Sequence, residues 1–233
     1  MPSSPPGNGK APRGGLSVWM SDSLFAPEAL WALLHHPIPI AVARRPRGKT
    51  EYNLMELVDA ARQSQEDNKK MSTAAHFVDE TCIVPRDSKR WDVRLKPLWV
   101  ERMRSVNVAF AYMCRMVENV CQNDIRCANA TVDWHVQMVY PGSNDQPLHM
   151  DDTEDDRGAR CYYTYIVPLV DNPRAGGTHF PKLNNTFSTY GGAVLFDGTV
   201  EHAGMGNRSQ QVRYFIYAAI YTGTDENCDP KPK

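Results

Sequence analysis

Apolar residues recur at three- and four-residue intervals in the first half of the chain and at every second position in the second half. The first pattern predicts helices and the second predicts strands. Leu30, Trp31, Leu33 and Leu34 follow Pro27 in a short helix that Ser23 is placed to cap and that Pro37 and Pro39 end. Asn53 precedes a second helix carrying Leu54, Leu57, Val58 and Ala61. The longest helical pattern runs from about Leu98 to Val120, with Val106, Phe110, Met113, Val117 and Val120 on one stripe. The charged stretch between Pro85 and Pro97 reads as an irregular link. From Val132 to Tyr140 the period becomes two: Val132, Trp134, Val136, Met138 and Tyr140 share a face. Further strands are predicted over Cys161–Val170, 178–180, 186–189, 193–196 and 213–221, punctuated by Gly176-Gly177 and Gly191-Gly192. Short strands after a helical half predict an α+β, mainly β chain, a sandwich or barrel backed by N-terminal helices.

Composition narrows this reading. The chain has 233 residues, 42% hydrophobic and 23% charged, enough to bury a core without staples. One compact domain is expected: a disordered tail over 1–15, a helical support region over 16–130, a β core over 131–224 and a C-terminal tail over 225–233. A net charge of −1 gives no general attraction to nucleic acid or anionic lipid. The cluster of Arg44, Arg45, Arg47 and Lys49 reads as a solvated loop. No apolar run approaches the ~20 residues that span a bilayer. The Pro-, Gly- and Ser-rich start lacks the apolar stretch of a signal peptide, so a cytoplasmic or nuclear location is expected, with no membrane partner. Six cysteines without a CxxC pair read as free thiols, with no zinc site.

The chemistry concentrates in Leu148-His149-Met150-Asp151-Asp152, just beyond the strand ending at Tyr140. His149 and Asp151, two apart on an extended segment, point to one side. His202 follows the 193–196 strand and supplies a second imidazole. Two imidazoles and a carboxylate make a facial triad with open positions, a donor set that suits Fe(II). His-x-Asp alone arises often by chance; Arg213 adds weight because it opens an apolar strand. A buried guanidinium is costly unless paired, so a barrel-rim salt bridge or the carboxylate of a bound ligand is expected beside it. The acidic run Asp152, Glu154, Asp155 and Asp156 reads as a solvated loop or as a lid for a cationic substrate. His135 reads as a satisfied sheet histidine, His179 equally as a pocket-facing or a rim or surface residue, and Asn207 equally as a ligand hydrogen-bonding group or as turn chemistry.

From Val132 to Tyr221 the chain resembles the 2-oxoglutarate/Fe(II) dioxygenase superfamily, nearest to its prolyl-4-hydroxylase-like branch. The resemblance rests on a strand ending in Tyr140, on His149-Met150-Asp151, on Gly176-Gly177-Thr178-His179-Phe180-Pro181, on Gly192-Ala193-Val194-Leu195-Phe196, and on His202 followed by Arg213. It implies a double-stranded β-helix (jelly-roll) core. It also implies Fe(II) held by His149, Asp151 and His202, with 2-oxoglutarate as co-substrate clamped by Arg213, and O2 as oxidant. The product side would be succinate, CO2 and a hydroxylated or otherwise oxidised substrate, either a protein side chain such as prolyl or a small molecule. Two departures stand out. The branch commonly has Lys where Arg213 stands, and Gln146 replaces its co-substrate-contacting Tyr; Tyr140, Tyr162 and Thr164 are the candidates for the missing hydroxyl. The competing readings are a non-catalytic β-barrel binding module and a cupin-type metalloenzyme of another reaction class.

Overall fold

Strand alternation in the second half is realised, apart from a register shift at the start of β7, in the computed structural model, which describes residues 18–39, 51–66, 78–87, 89–124, 127, 129–152 and 160–221. The expected tails, the Arg44, Arg45, Arg47 and Lys49 cluster, and Glu154, Asp155 and Asp156 lie outside the described residues. The elements are β1 (Val18–Ser21), α1 (Pro27–His35), β2 (Ile38–Pro39), β3 (Glu51–Tyr52), α2 (Leu54–Glu66), β4 (Val78–Asp87), β5 (Arg90–Leu95), α3 (Pro97–Val106) and α4 (Val108–Asn123). They continue with β6 (Thr131–Val139), β7 (Cys161–Pro168), β8 (Thr178–Phe180), β9 (Asn185–Phe187), β10 (Ala193–Asp197), β11 (Ala203–Gly204) and β12 (Arg213–Tyr221). A seven-stranded antiparallel sheet runs in the order β1-β10-β7-β12-β6-β5-β4, and a smaller sheet in the order β11-β8-β9.

The period of two assigns the two faces of the large sheet. Trp134, Val136 and Met138 of β6 and Tyr214, Ile216, Ala218 and Ile220 of β12 pack against Leu30, Leu57, Trp99, Phe110 and Met113 of the helices. The opposite face meets the small sheet: Ile166, Val194 and Phe196 pack with Phe180 and Phe187 in a second cluster. Sheets pack this closely only where backbones can approach. Gly176 has φ +77, and a Cβ there would lie 2.6 Å from the Gly206 carbonyl oxygen; at Gly177 it would strike the Phe187 carbonyl oxygen.

Three expectations are corrected. The stretch between Pro85 and Pro97 is no irregular link: it holds the end of β4 and all of β5. Its buried Trp91, Val93 and Leu95 face the helices, while Arg90 and Asp92 alternate with them, so charge hides the period. The long helix is two helices, broken at Asn107, whose extended backbone stops α3 and whose Oδ1 accepts the Phe110 N–H at 2.9 Å to cap α4. Val106 is consequently 60% exposed rather than core. Ser23 caps nothing in α1, where Ala26 takes the N-cap position without a side-chain bond and Pro27 needs no N–H partner. At the start of α2, Asn53 and Glu56 exchange backbone-to-side-chain hydrogen bonds in a capping box. No helix among the described residues is long and apolar enough to cross a membrane.

Tyr165 of β7 points into the helix-side core, where its hydroxyl has no hydrogen-bond partner among the described residues and burial pushes its pKa up. An unsatisfied buried hydroxyl costs stability, so Tyr165→Phe is expected to raise the unfolding free energy by about 1 kcal/mol. Urea denaturation reads this as a higher midpoint at unchanged slope; a lower midpoint would mean that the hydroxyl is satisfied.

Candidate metal centre and its cleft

His149 and His202 are brought together by backbone pairing. Each N–H donates to the other's carbonyl at 2.9 Å, a hydrogen-bonded antiparallel bridge that adds the 146–149 segment to the edge of β11. The imidazole centroids are 4.4 Å apart. Asp151 completes the group: its Oδ1 lies 3.7 Å from His149 Nε2 and its Oδ2 lies 3.6 Å from His202 Nε2. All three donor atoms lie within 4.8 Å of one another, so the group could hold a metal ion.

The ring orientations favour this. His149 Nδ1 faces the Pro147 carbonyl at 2.9 Å, and His202 Nδ1 faces the Val200 carbonyl at 3.0 Å. A carbonyl only accepts, so each Nδ1 carries the proton and each Nε2 presents a lone pair. Burial holds the His202 imidazole below its ordinary pKa against the opposing pull of Asp151, which keeps that lone pair available. Thr164 Oγ1 donates to Asp151 Oδ2 at 2.7 Å and fixes the carboxylate. Cys161 lines the same cleft, but burial, reinforced by Asp151, pushes its thiol up to about 12, so it offers no thiolate.

The cleft between the sheets has a volume of about 480 Å³ and is lined at its far end by Arg213, Gly176 and Gly177. Arg213 is buried. Its NH1 donates to the Ala175 carbonyl at 2.8 Å, its Nε has no partner, and no carboxylate pairs with it among the described residues. Burial, reinforced by neighbouring Arg90, lowers its pKa to about 9. Such a cation is under strong pressure to acquire an anion.

The structure separates the candidate hydroxyls. Thr164 lines the cleft but is committed to Asp151. Tyr140 does not line it: even-numbered β6 positions face the helices, and its hydroxyl donates to Asp59 of α2 at 3.3 Å. Tyr162 also misses the cleft. A register shift in β7, where Ile220 pairs with Tyr163 but Tyr221 with Cys161, reverses the alternation and turns Tyr162 toward the helix-side core. Gln146 lines the cleft, with its Oε1 accepting the Gly204 N–H at 3.1 Å. The other readings sort similarly. His135 Nδ1 bonds Asp92 at 3.0 Å, and His179 Nδ1 meets Thr186 Oγ1 at 3.0 Å. Buried Asn207 is turn chemistry, donating to the Val139 and Gln211 carbonyls. Sequence reasoning passed over Gln137, a buried cleft residue whose signal was its polar side chain out of phase with the apolar face of β6.

No family model matches the chain, and no curated protein matches it in sequence. Solved structures do match in shape. A truncated form of the viral collagen prolyl hydroxylase vCPH from Paramecium Bursaria Chlorella virus-1 aligns over 94% of this chain and 98% of its own, with a TM-score of 0.54 and 13% identity. The 2OG complex of that enzyme aligns over 88% and 96%, with a TM-score of 0.52 and 13% identity. A Pseudomonas putida prolyl-4-hydroxylase aligns over 89% and 94%, with a TM-score of 0.52 and 13% identity. At such identity the likeness is one of architecture, and nearly the whole of each chain takes part in it. The chain therefore has the fold of these prolyl hydroxylases.

Proposed function

We propose that this chain is an Fe(II)- and 2-oxoglutarate-dependent dioxygenase on a double-stranded β-helix core, hydroxylating or otherwise oxidising a protein side chain or a small molecule. One observation carries the reading: a His-Asp-His group and a buried guanidinium lacking a carboxylate partner among the described residues line one cleft. A linear dicarboxylate with a 2-oxo group matches that pair, with its chelating end toward the donors and its far carboxylate toward Arg213. The 2OG complex of the viral hydroxylase supports the same reading. The proposed ligands fall in residues 131–224, and residues 16–130 support that core within one compact domain.

Bound there, Fe(II) with 2-oxoglutarate would activate O2, releasing succinate and CO2 and delivering oxygen to a C–H bond. The chain's own part is positional. His149 and His202 present Nε2, with their rings held by the Pro147 and Val200 carbonyls. Asp151 presents a carboxylate oriented by Thr164. Arg213 supplies the cation for the far carboxylate, and Ile166, Phe187 and Phe215 wall the cleft against water. The metal group contains no fourth His or acidic donor among the described residues, which favours this reading over a cupin-type centre.

Succinate is expected to form from 2-oxoglutarate only with Fe(II), and His149→Ala is expected to abolish both this turnover and the anaerobic chelate absorption band. A wild-type protein that binds iron but gives no band with 2-oxoglutarate would overturn the proposal. Arg213→Met is expected to raise the KM for 2-oxoglutarate by about 100-fold, because it removes one partner of a buried charge pair. Thr164→Val is expected to weaken Fe(II) binding by about tenfold or more, read by competition with a chelator, since it frees the Asp151 carboxylate.

A further inference from the structure

We propose that Cys121 and Cys127 form a redox-active dithiol that closes into a disulfide when the chain meets a peroxide. The inference stands apart from the oxygenase reading of the cleft. Cys121 lies in the last turn of α4, and Cys127 lies just past the end of that helix. The chain turns back between them. The Asp124 N–H still donates to the Val120 carbonyl at 3.1 Å, and the Cys127 N–H donates to the Asp124 carbonyl at 2.9 Å. This turn packs both side chains on the helix-side core and brings the two thiols into hydrogen-bond contact. Both are free thiols, so the contact is a dithiol and not a bond.

The two sulfurs differ as an attacking and a resolving thiol should. Cys121 is only half-buried, at a helix end, where a small oxidant has access. The hydrogen bond from Cys127 holds its thiol below the ordinary pKa, against burial and the nearby carboxylates of Glu118 and Asp124. Cys127 is 2% exposed, sheltered from outside reagents but not from Cys121. Cys114 and Cys161 give the contrast. Burial pushes their thiols up to about 11 and about 12, so neither supplies a thiolate at neutral pH.

The chemistry balances with a peroxide as the two-electron oxidant. The Cys121 thiolate attacks one peroxide oxygen, the O–O bond breaks, and hydroxide leaves to become water. Cys121 is then a sulfenic acid. The Cys127 sulfur attacks the Cys121 sulfur, an S–S bond forms, the S–O bond breaks, and hydroxide departs with the Cys127 proton as a second water. The pair lies outside the metal cleft, on the other side of the sheet. The loop it closes contains Asp124, whose Oδ2 accepts the Tyr163 hydroxyl at 2.6 Å, so the disulfide would staple the turn that holds β7 from the helix side.

The test treats the reduced full chain with equimolar hydrogen peroxide, with a chelator present to exclude iron chemistry. Intact mass is expected to fall by about 2 Da, with a Cys121–Cys127 cross-link in the unreduced peptide map that a reducing thiol reverses. Cys127→Ser is expected to stop at the sulfenic acid, trapped on Cys121 by dimedone. Cross-links confined to other cysteines, or oxygen added to Cys121 of the wild-type chain without a cross-link, would overturn the proposal. A second measurement needs no variant to fold. Iodoacetamide at neutral pH is expected to alkylate Cys121 at least about tenfold faster than Cys114 or Cys161. Equal rates at the three positions would sink the idea.

Discussion

Two backbone hydrogen bonds between His149 and His202 hold the centre together. The residues come from segments separated by β7, β8, β9 and β10, and nothing in their local sequence brings them near each other. The bridge joins the His-x-Asp segment to the strand edge of β11 and sets both Cα positions together. Once paired, each imidazole needs one further constraint, and its own chain supplies it through the carbonyl two residues back. Ordering these side chains costs conformational entropy that a metal would otherwise have to meet at the moment of binding. Here that cost is borne by folding.

The sheet that carries the cleft places charged residues on an interior face, and the surroundings show how this is tolerated. Arg90, fully buried, donates to the Asn144 carbonyl at 2.8 Å and reaches those of Gly204 and Met205. These carbonyls lie in the two segments that carry His149 and His202, so one guanidinium ties both to the large sheet. A Cβ at Gly204 would meet Gln146 Oε1 and Arg90 NH1, the ends of two side chains that would have to shift to admit it. Asp92, equally buried, is used by Tyr217 and His135. Polar groups on this face are therefore mostly consumed by the scaffold, and those that are not stand out chemically.

How much of this could be read in the sequence depended on whether a signal was local. His149 and Asp151 were legible because strand parity turns an extended His-x-Asp to one side, and His202 because it follows a strand in the order the resemblance implies; their meeting is long-range and was supplied by the fold. Arg213 was legible because a guanidinium heading an apolar strand is costly to bury unless an anion meets it. Tyr162 was not, because parity fails where β7 shifts register against β12, and nothing in Cys161-Tyr162-Tyr163 announces a bulge. Strand β5 was hidden because charged side chains on an interior face look like a solvated link until their partners, supplied from distant segments, are known. The break between α3 and α4 was written in Asn107, a good capping residue, but the apolar stripe continued across it and masked the stop.

The presence of Gln146 where the resembled branch has a tyrosine bears on where the cleft keeps its free hydrogen-bonding capacity. Gln146 spends its carbonyl oxygen on the Gly204 N–H, and its own backbone N–H donates to the Gly204 carbonyl at 2.9 Å, so it behaves as part of the bridge. Thr164 is spent on Asp151, and Tyr140 is spent on the helix side. With Gln146, Thr164 and Tyr140 committed in this way, the cleft's open hydrogen-bonding capacity concentrates at Arg213. Arg213 offers donors only and suits an anion.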